Sequence, residues 1–227
     1  GNGRIISAKG TILKNEETGN FAINNITMQM TGSSAIDETI ENKGMLEVTG
    51  GVIISDGLKN KCINNIEQGT VKITGGTVSA PEWYNSIINR GTLEISGGTI
   101  KSNQKGIYNN SILKMTGGTV EVQESKSYNY AALECGGGTA TIEGGTIKYN
   151  NIGNTSYNTA VIRITTNTAT LTLGKEDGNV SITNPEIIGS RYGINNEGNG
   201  TFNFYDGIIK GKTAINGNLS AKEKGYE

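Results

Sequence analysis

Apolar and polar residues alternate along this chain in short bursts that recur. From Gly91 to Ile100 the sequence reads GTLEISGGTI. In an extended strand Leu93 and Ile95 fall on one face and Glu94 and Ser96 on the other, the alternation of a half-buried strand. Gly97-Gly98 then breaks the strand, because glycine enters turn conformations closed to residues with a Cβ. Thr99-Ile100 resumes as a second short strand. The same pattern returns as GMLEVTGGVI (44–53), GTVKITGGTV (69–78), SILKMTGGTV (111–120) and, more loosely, GTATIEGGTI (138–147) and GTFNFYDGII (200–209). One such unit cannot bury its apolar face alone, whereas copies stacked in parallel can.

Aligned copies give three apolar columns. The first reads Leu46, Val71, Leu93, Leu113, Ala140, Leu171, Phe202, and the second Val48, Ile73, Ile95, Met115, Ile142, Leu173, Phe204. The third, after the glycines, reads Ile53, Val78, Ile100, Val120, Ile147, Ile209. The polar column between the first two begins Glu47, Lys72, Glu94, Lys114, alternating in sign. Opposite charges stacked at ~4.8 Å attract, and a slip by one coil would set like on like, so this column reads as a register device. A second outward column, Thr49, Thr74, Ser96 and Thr116, is too short for an ice-binding face. Asn42, Asn89 and Asn109, with Glu67 in the second copy, occupy one corner and predict a hydrogen-bonded ladder. MQMTGS (28–33) matches the strand-and-turn segment with one glycine lost and predicts the first coil.

Gly50, Gly75, Gly97, Gly117 and Gly144 stand 25, 22, 20 and 27 residues apart; taking Gly174 and Asp206 as the next equivalents, the steps become 30 and 32. Fixed strands with one corner free to grow describe a three-faced coil rather than a strict-period solenoid. These repeats resemble the right-handed, pectin-lyase-like parallel β-helix, over nearly the whole chain. The GG[TV][IV] units are also similar to repeats of surface and adhesin-type proteins of Gram-positive bacteria. The resemblance implies an all-β, single-stranded right-handed parallel β-helix (solenoid) with three faces and about eight or nine coils. It implies no single activity, since the architecture hosts lyases, hydrolases, phage spikes and adhesins.

Composition narrows the functional classes. The repeats make residues 1–227 one elongated domain. The chain opens on GNGRII, in mid-pattern, so we expect a piece of a longer secreted protein located outside the cell or on its surface. Two prolines in 227 residues suit strands that all need their ladder N–H groups. A net charge of −1 gives no reason to expect nucleic acid or an anionic membrane as partner, and no apolar run is long enough to span a bilayer. Cys62 and Cys135 lie three coils apart, roughly 14 Å on the strand spacing, too far for a disulfide.

Candidate catalysis is thin. There is no histidine, which excludes Ser-His-Asp and Cys-His sets and the Gly-His-Gly motif of polygalacturonate hydrolases of this fold. Asp37, Asp56, Asp177 and Asp206 are scattered, as are Arg4, Arg90, Arg163 and Arg191, so neither a calcium cluster nor a lyase base is legible. We expect no catalytic residue, no metal and no cofactor. Aromatics are the feature with functional content. Counted back from each coil's first glycine position, Tyr84 stands at −13 and Tyr130 and Tyr192 at −14, with Trp83 beside Tyr84. Rings on one side of the helix, among Asn and Thr, offer faces and amides to a sugar. The candidate carbohydrate-binding strip is therefore Trp83, Tyr84, Tyr130 and Tyr192, on an expected monomer that contacts polysaccharide or host glycan. The alternatives are a lyase or hydrolase with an acidic site, and a structural spacer.

Overall fold

A computed structural model describes residues 2–32, 38–56, 61–80, 85–123, 130–150, 159–176, 184–189 and 191–217. They form short strands arranged in three all-parallel sheets of nine, nine and eight strands. Each sheet takes every third strand in chain order, so the chain winds as a right-handed parallel β-helix. Sheet B holds strands such as Asn85–Asn89, sheet C strands such as Thr92–Ile95 and sheet A strands such as Thr99–Ser102. Eight complete B–C–A coils are flanked by one strand of sheet A at the start, Arg4–Ser7, and one of sheet B at the end, Thr213–Gly217.

The predicted columns are the core except at the end of the second, where Phe204 is exposed. Leu46, Val71, Leu93, Leu113 and Leu171 stack in register in sheet C and are buried, as are Ile53, Val78, Ile100, Val120 and Ile147 in sheet A. Sheet A also recruits Ile187, which pairs with Ile147 and Ile209 and fills the coil whose sequence pattern is loosest. Sheet B adds a fourth column that the repeat motif does not contain: Ile40, Ile63, Ile87, Ile107, Leu133, Ile162 and Ile194.

Three residues join sheet C to sheet A in seven of the eight coils. The glycine pair explains why this corner is constant. A Cβ on Gly97 would strike the Thr74 carbonyl of the coil beneath, and Gly98 has φ +74°, a left-handed backbone that side chains resist. Two expectations need correction here. Met28 and Met30 lie in sheet A, after the corner; the strand before it is Asn20–Ile23, and in the corner Asn24-Asn25-Ile26 the left-handed residue is Asn25 (φ 56°), opposite Gly50 and one place earlier than the left-handed Gly51 of the next coil. Asparagine tolerates that conformation, so the motif survives without its signature. Gly174 directly follows the strand Thr170–Leu173, one place earlier than Gly50 follows Met45–Val48, and 12 residues (174–185) then separate it from Glu186–Ile188.

The asparagine ladder forms at the corner after sheet B. Asn15 Nδ2 donates to Asn42 Oδ1 (2.7 Å), Asn42 to Asn65 (2.8 Å), Asn65 to Asn89 (2.8 Å) and Asn89 to Asn109 (2.7 Å). The second copy uses Asn65, not Glu67: four residues link Lys61–Asn65 to Thr70–Ile73, against two after Asn85–Asn89, so fixed-offset counting lands in the turn. Cys135 takes the next position above Asn109 and Ile164 the one after, where the ladder stops. Both cysteines are buried and free. Burial pushes the Cys135 thiol up to about 12 and Cys62 higher still.

Candidate functional site

Apart from the 12 residues at 174–185, the corner from sheet A to sheet B varies most, from two residues between Ser102 and Lys105 to ten between Tyr149 and Ala160. A constant corner holds register, whereas a variable one is where function is built on a rigid scaffold. Of the aromatic strip expected from sequence, Tyr130 and Tyr192 fall on this side. Trp83 and Tyr84 lie outside the described residues. Tyr130 sits immediately before the sheet B strand Ala131–Cys135, and Tyr192 opens the strand Tyr192–Asn196, two coils on and roughly 10 Å along the axis. The two are not in one column. Ala131 pairs with Ala160 and Ala160 with Tyr192, so Tyr130 aligns with Thr159 and Arg191. The corner after Tyr192–Asn196 is one residue longer than that after Ala131–Cys135, which absorbs the difference.

Both rings are half-buried and carry a cation. Lys105 Nζ lies 5.4 Å from the Tyr130 centroid, and the Arg191 guanidinium carbon 5.0 Å from the Tyr192 centroid. At these distances the ring quadrupole attracts the charge, which fixes the ring's orientation.

Beside this edge, three residues along the strand, runs an outward row that sequence reading did not assemble. It reads Tyr108, Glu134, Arg163, Asn195. Arg163 and Asn195 are buried although they point away from the core. The Arg163 guanidinium bridges two carboxylates, Glu134 at 3.6 Å and Glu197 in direct contact. Asn195 donates to Glu197 (3.3 Å) and Asn216 donates to Asn195 (2.8 Å). Tyr108 lies over Gly136, whose missing side chain leaves room for the ring. These residues are 26 to 63 positions from Tyr108 to Glu134 and from Glu134 to Glu197, so no local motif signals them; only strand register unites them.

Lower on the same sheet, Glu38 (4% exposed) accepts from Lys61 Nζ (3.4 Å) and Asn64 Nδ2 (3.3 Å), and Arg90 Nη1 donates to Asn64 Oδ1 (3.1 Å). Outside sheet C, a groove of about 310 Å³ is lined by Lys72, Thr74, Glu94, Ser96, Lys114 and Thr116. Its charges are already matched: Lys72 lies 3.3 Å from Glu94, and Lys114 3.3 Å from Glu143. That supports the register role for the column, with Lys114 turning to Glu143.

Among the described residues no three His, Cys, Asp or Glu are placed to share a metal ion, and no helix is long and apolar enough to cross a membrane. Sheet B thus defines a β-helix with one polar, sheltered face bordered by aromatic–cation pairs. Comparison with protein-family models, curated proteins and solved structures finds no match to this chain.

Proposed function

We propose that this β-helix is a non-catalytic, adhesin-like segment of a bacterial surface protein that contacts polysaccharide along the outer edge of sheet B. The observation that carries the reading is the pair Tyr130–Lys105 and Tyr192–Arg191. Each is an aromatic face held in place by a cation, and the two stand on one edge about two sugar residues apart. Pinned rings bind sugars at a lower entropic cost than mobile ones. Tyr108 and Glu197, at the outer end of the Arg163 bridge, would supply hydrogen bonds to hydroxyls beside them. The GG[TV][IV] repeats support the finer part of the proposal, a pectin-lyase-like helix from a Gram-positive cell surface, acting as a monomer outside the cell.

The test is a glycan array spanning neutral and acidic plant and host polysaccharides. Wild type is expected to bind, and Tyr130→Ala/Tyr192→Ala to bind about thirtyfold more weakly, from roughly 1 kcal/mol per ring. The double variant Trp83→Ala/Tyr84→Ala locates the other half of the predicted strip. Undiminished binding by both variants would move the site off this edge, and no binding at all would favour a structural spacer.

A second reading, a polysaccharide lyase or hydrolase, has one observation in its favour: Glu134 and Glu197 flank Arg163 on the same sheltered face. Paired carboxylates are the machinery of glycoside hydrolysis. Product release from any bound glycan, abolished in Glu134→Gln, would establish it.

A further inference from the structure

The group at Glu38 has no part in the aromatic edge, yet its chemistry is complete in itself. It lies in sheet B, on the strands Glu38–Asn42, Lys61–Asn65 and Asn85–Asn89 and the corner that follows. Glu38 pairs with Lys61 in register. One carboxylate oxygen faces the lysine amine at 3.4 Å, and the other faces the Asn64 amide nitrogen at 3.3 Å. Arg90 has only donors, so the atom turned towards it, at 3.1 Å, is the Asn64 carbonyl oxygen. The group is sheltered: Glu38 is 4% exposed, Asn64 9% and the Lys61 side chain 18%.

An amine, an amide carbonyl, a carboxylate touching both nitrogens and a guanidinium on the carbonyl oxygen are the parts of an acyl transfer. We infer that Lys61 and Asn64 join in an isopeptide bond, with Glu38 as proton carrier and Arg90 as stabiliser of the oxyanion.

The step balances without oxidant or reductant. Glu38 takes a proton from Lys61 Nζ, whose lone pair attacks Cγ of Asn64. Negative charge gathers on Oδ1 against Arg90. Glu38 returns the proton to Nδ2, the Cγ–Nδ2 bond breaks and ammonia departs. Nζ sheds its remaining excess proton, which leaves with the ammonia as ammonium. The product is a secondary amide in place of a primary amide and an ammonium ion. Holding the partners on one carboxylate supplies the proximity that makes so slow a reaction feasible, and low solvent exposure strengthens the Arg90 contact.

The bond would tie the first and fourth residues of a single strand. It closes too small a loop to clamp coils together. Its effect is local: it converts an ion pair at the strand's start into a tether indifferent to pH and salt, and it removes Lys61 as a site for proteases that cut after lysine.

Intact mass spectrometry of the denatured, previously folded full chain is the test. The expected mass is one ammonia below the sequence mass. A tryptic peptide running uncut through Lys61 should carry the whole loss between Lys61 and Asn64, which separates it from succinimide formation at Asn199-Gly200 or Asn216-Gly217. Lys61→Arg keeps the charge but not the nucleophile and should restore the full mass, as should Glu38→Gln, with circular dichroism confirming the β-helix in each. Wild type at its full sequence mass would overturn the proposal, as would a loss that persists in Lys61→Arg or maps outside residues 61–64.

Discussion

Asn89 shows what one side chain does in this fold. It accepts from Asn65 (2.8 Å) and donates to Asn109 (2.7 Å) and to the Ile112 carbonyl (2.8 Å), and the three asparagines are fully buried. In a sealed corner a polar group without a partner costs its full desolvation. Asn89→Ala leaves the Asn109 and Ile112 oxygens short of a donor and is expected to cost about 2–4 kcal/mol, read as a fall in the denaturation midpoint. Asparagine suits the position because one amide can accept from the coil below and donate to the coil above, and to backbone as well. At Cys135 the chain gives up that pairing, and the ladder ends with Asn109 donating to the carbonyls of Ser111 (3.0 Å) and Thr139 (3.3 Å).

At the scale of an element, the outward column of sheet A sets Lys101, Glu121 and Lys148 on successive strands. Glu121 lies 3.7 Å from Lys101 and 2.8 Å from Lys148, and accepts from Gln123 Nε2 (3.0 Å). Burial by itself pushes this carboxyl up. The hydrogen bonds from Lys148 and Gln123, with the charges of Lys148 and Lys101, outweigh burial and hold it below the ordinary carboxylate range. A carboxyl with a depressed folded pKa contributes stability above its unfolded pKa and loses that contribution as pH falls through the folded value. Glu121→Gln is therefore expected to be less stable than wild type at neutral pH, by about 1–2 kcal/mol, with the gap closing in acid. Melting curves from pH 7 downwards check this; a gap independent of pH would mean that packing, not charge, set it.

At the scale of the whole molecule, stability is close to a sum over coils and their interfaces. Leu93 touches the coils above and below through Val71 and Leu113 and is fully buried. Leu93→Asp places an unpaired charge in that column and is expected to unfold the central coils, at a cost of several kcal/mol. Glu94→Gln, on the next residue, removes an exposed pair with Lys72 and should cost well under 1 kcal/mol. Equal shifts in thermal unfolding for the two would contradict the inward and outward assignment of the strand.

Which features the sequence determined follows from the range of the forces involved. Alternation in GTLEISGGTI sets which side chains turn inward, and Gly97-Gly98 sets where the strand ends, because both depend only on neighbours along the chain. The parallel helix, its three faces and its apolar columns were therefore legible. Where a corner changed length or its glycine was replaced, as at Asn65, Asn25 and Gly174, offsets counted along the chain drifted while the strands kept their pairing. The unions of Glu134 with Arg163 and Glu197, and of Glu38 with Lys61, Asn64 and Arg90, join residues from different coils. Only the stacking of strands, which adds up every variable corner between them, decided that these side chains would meet.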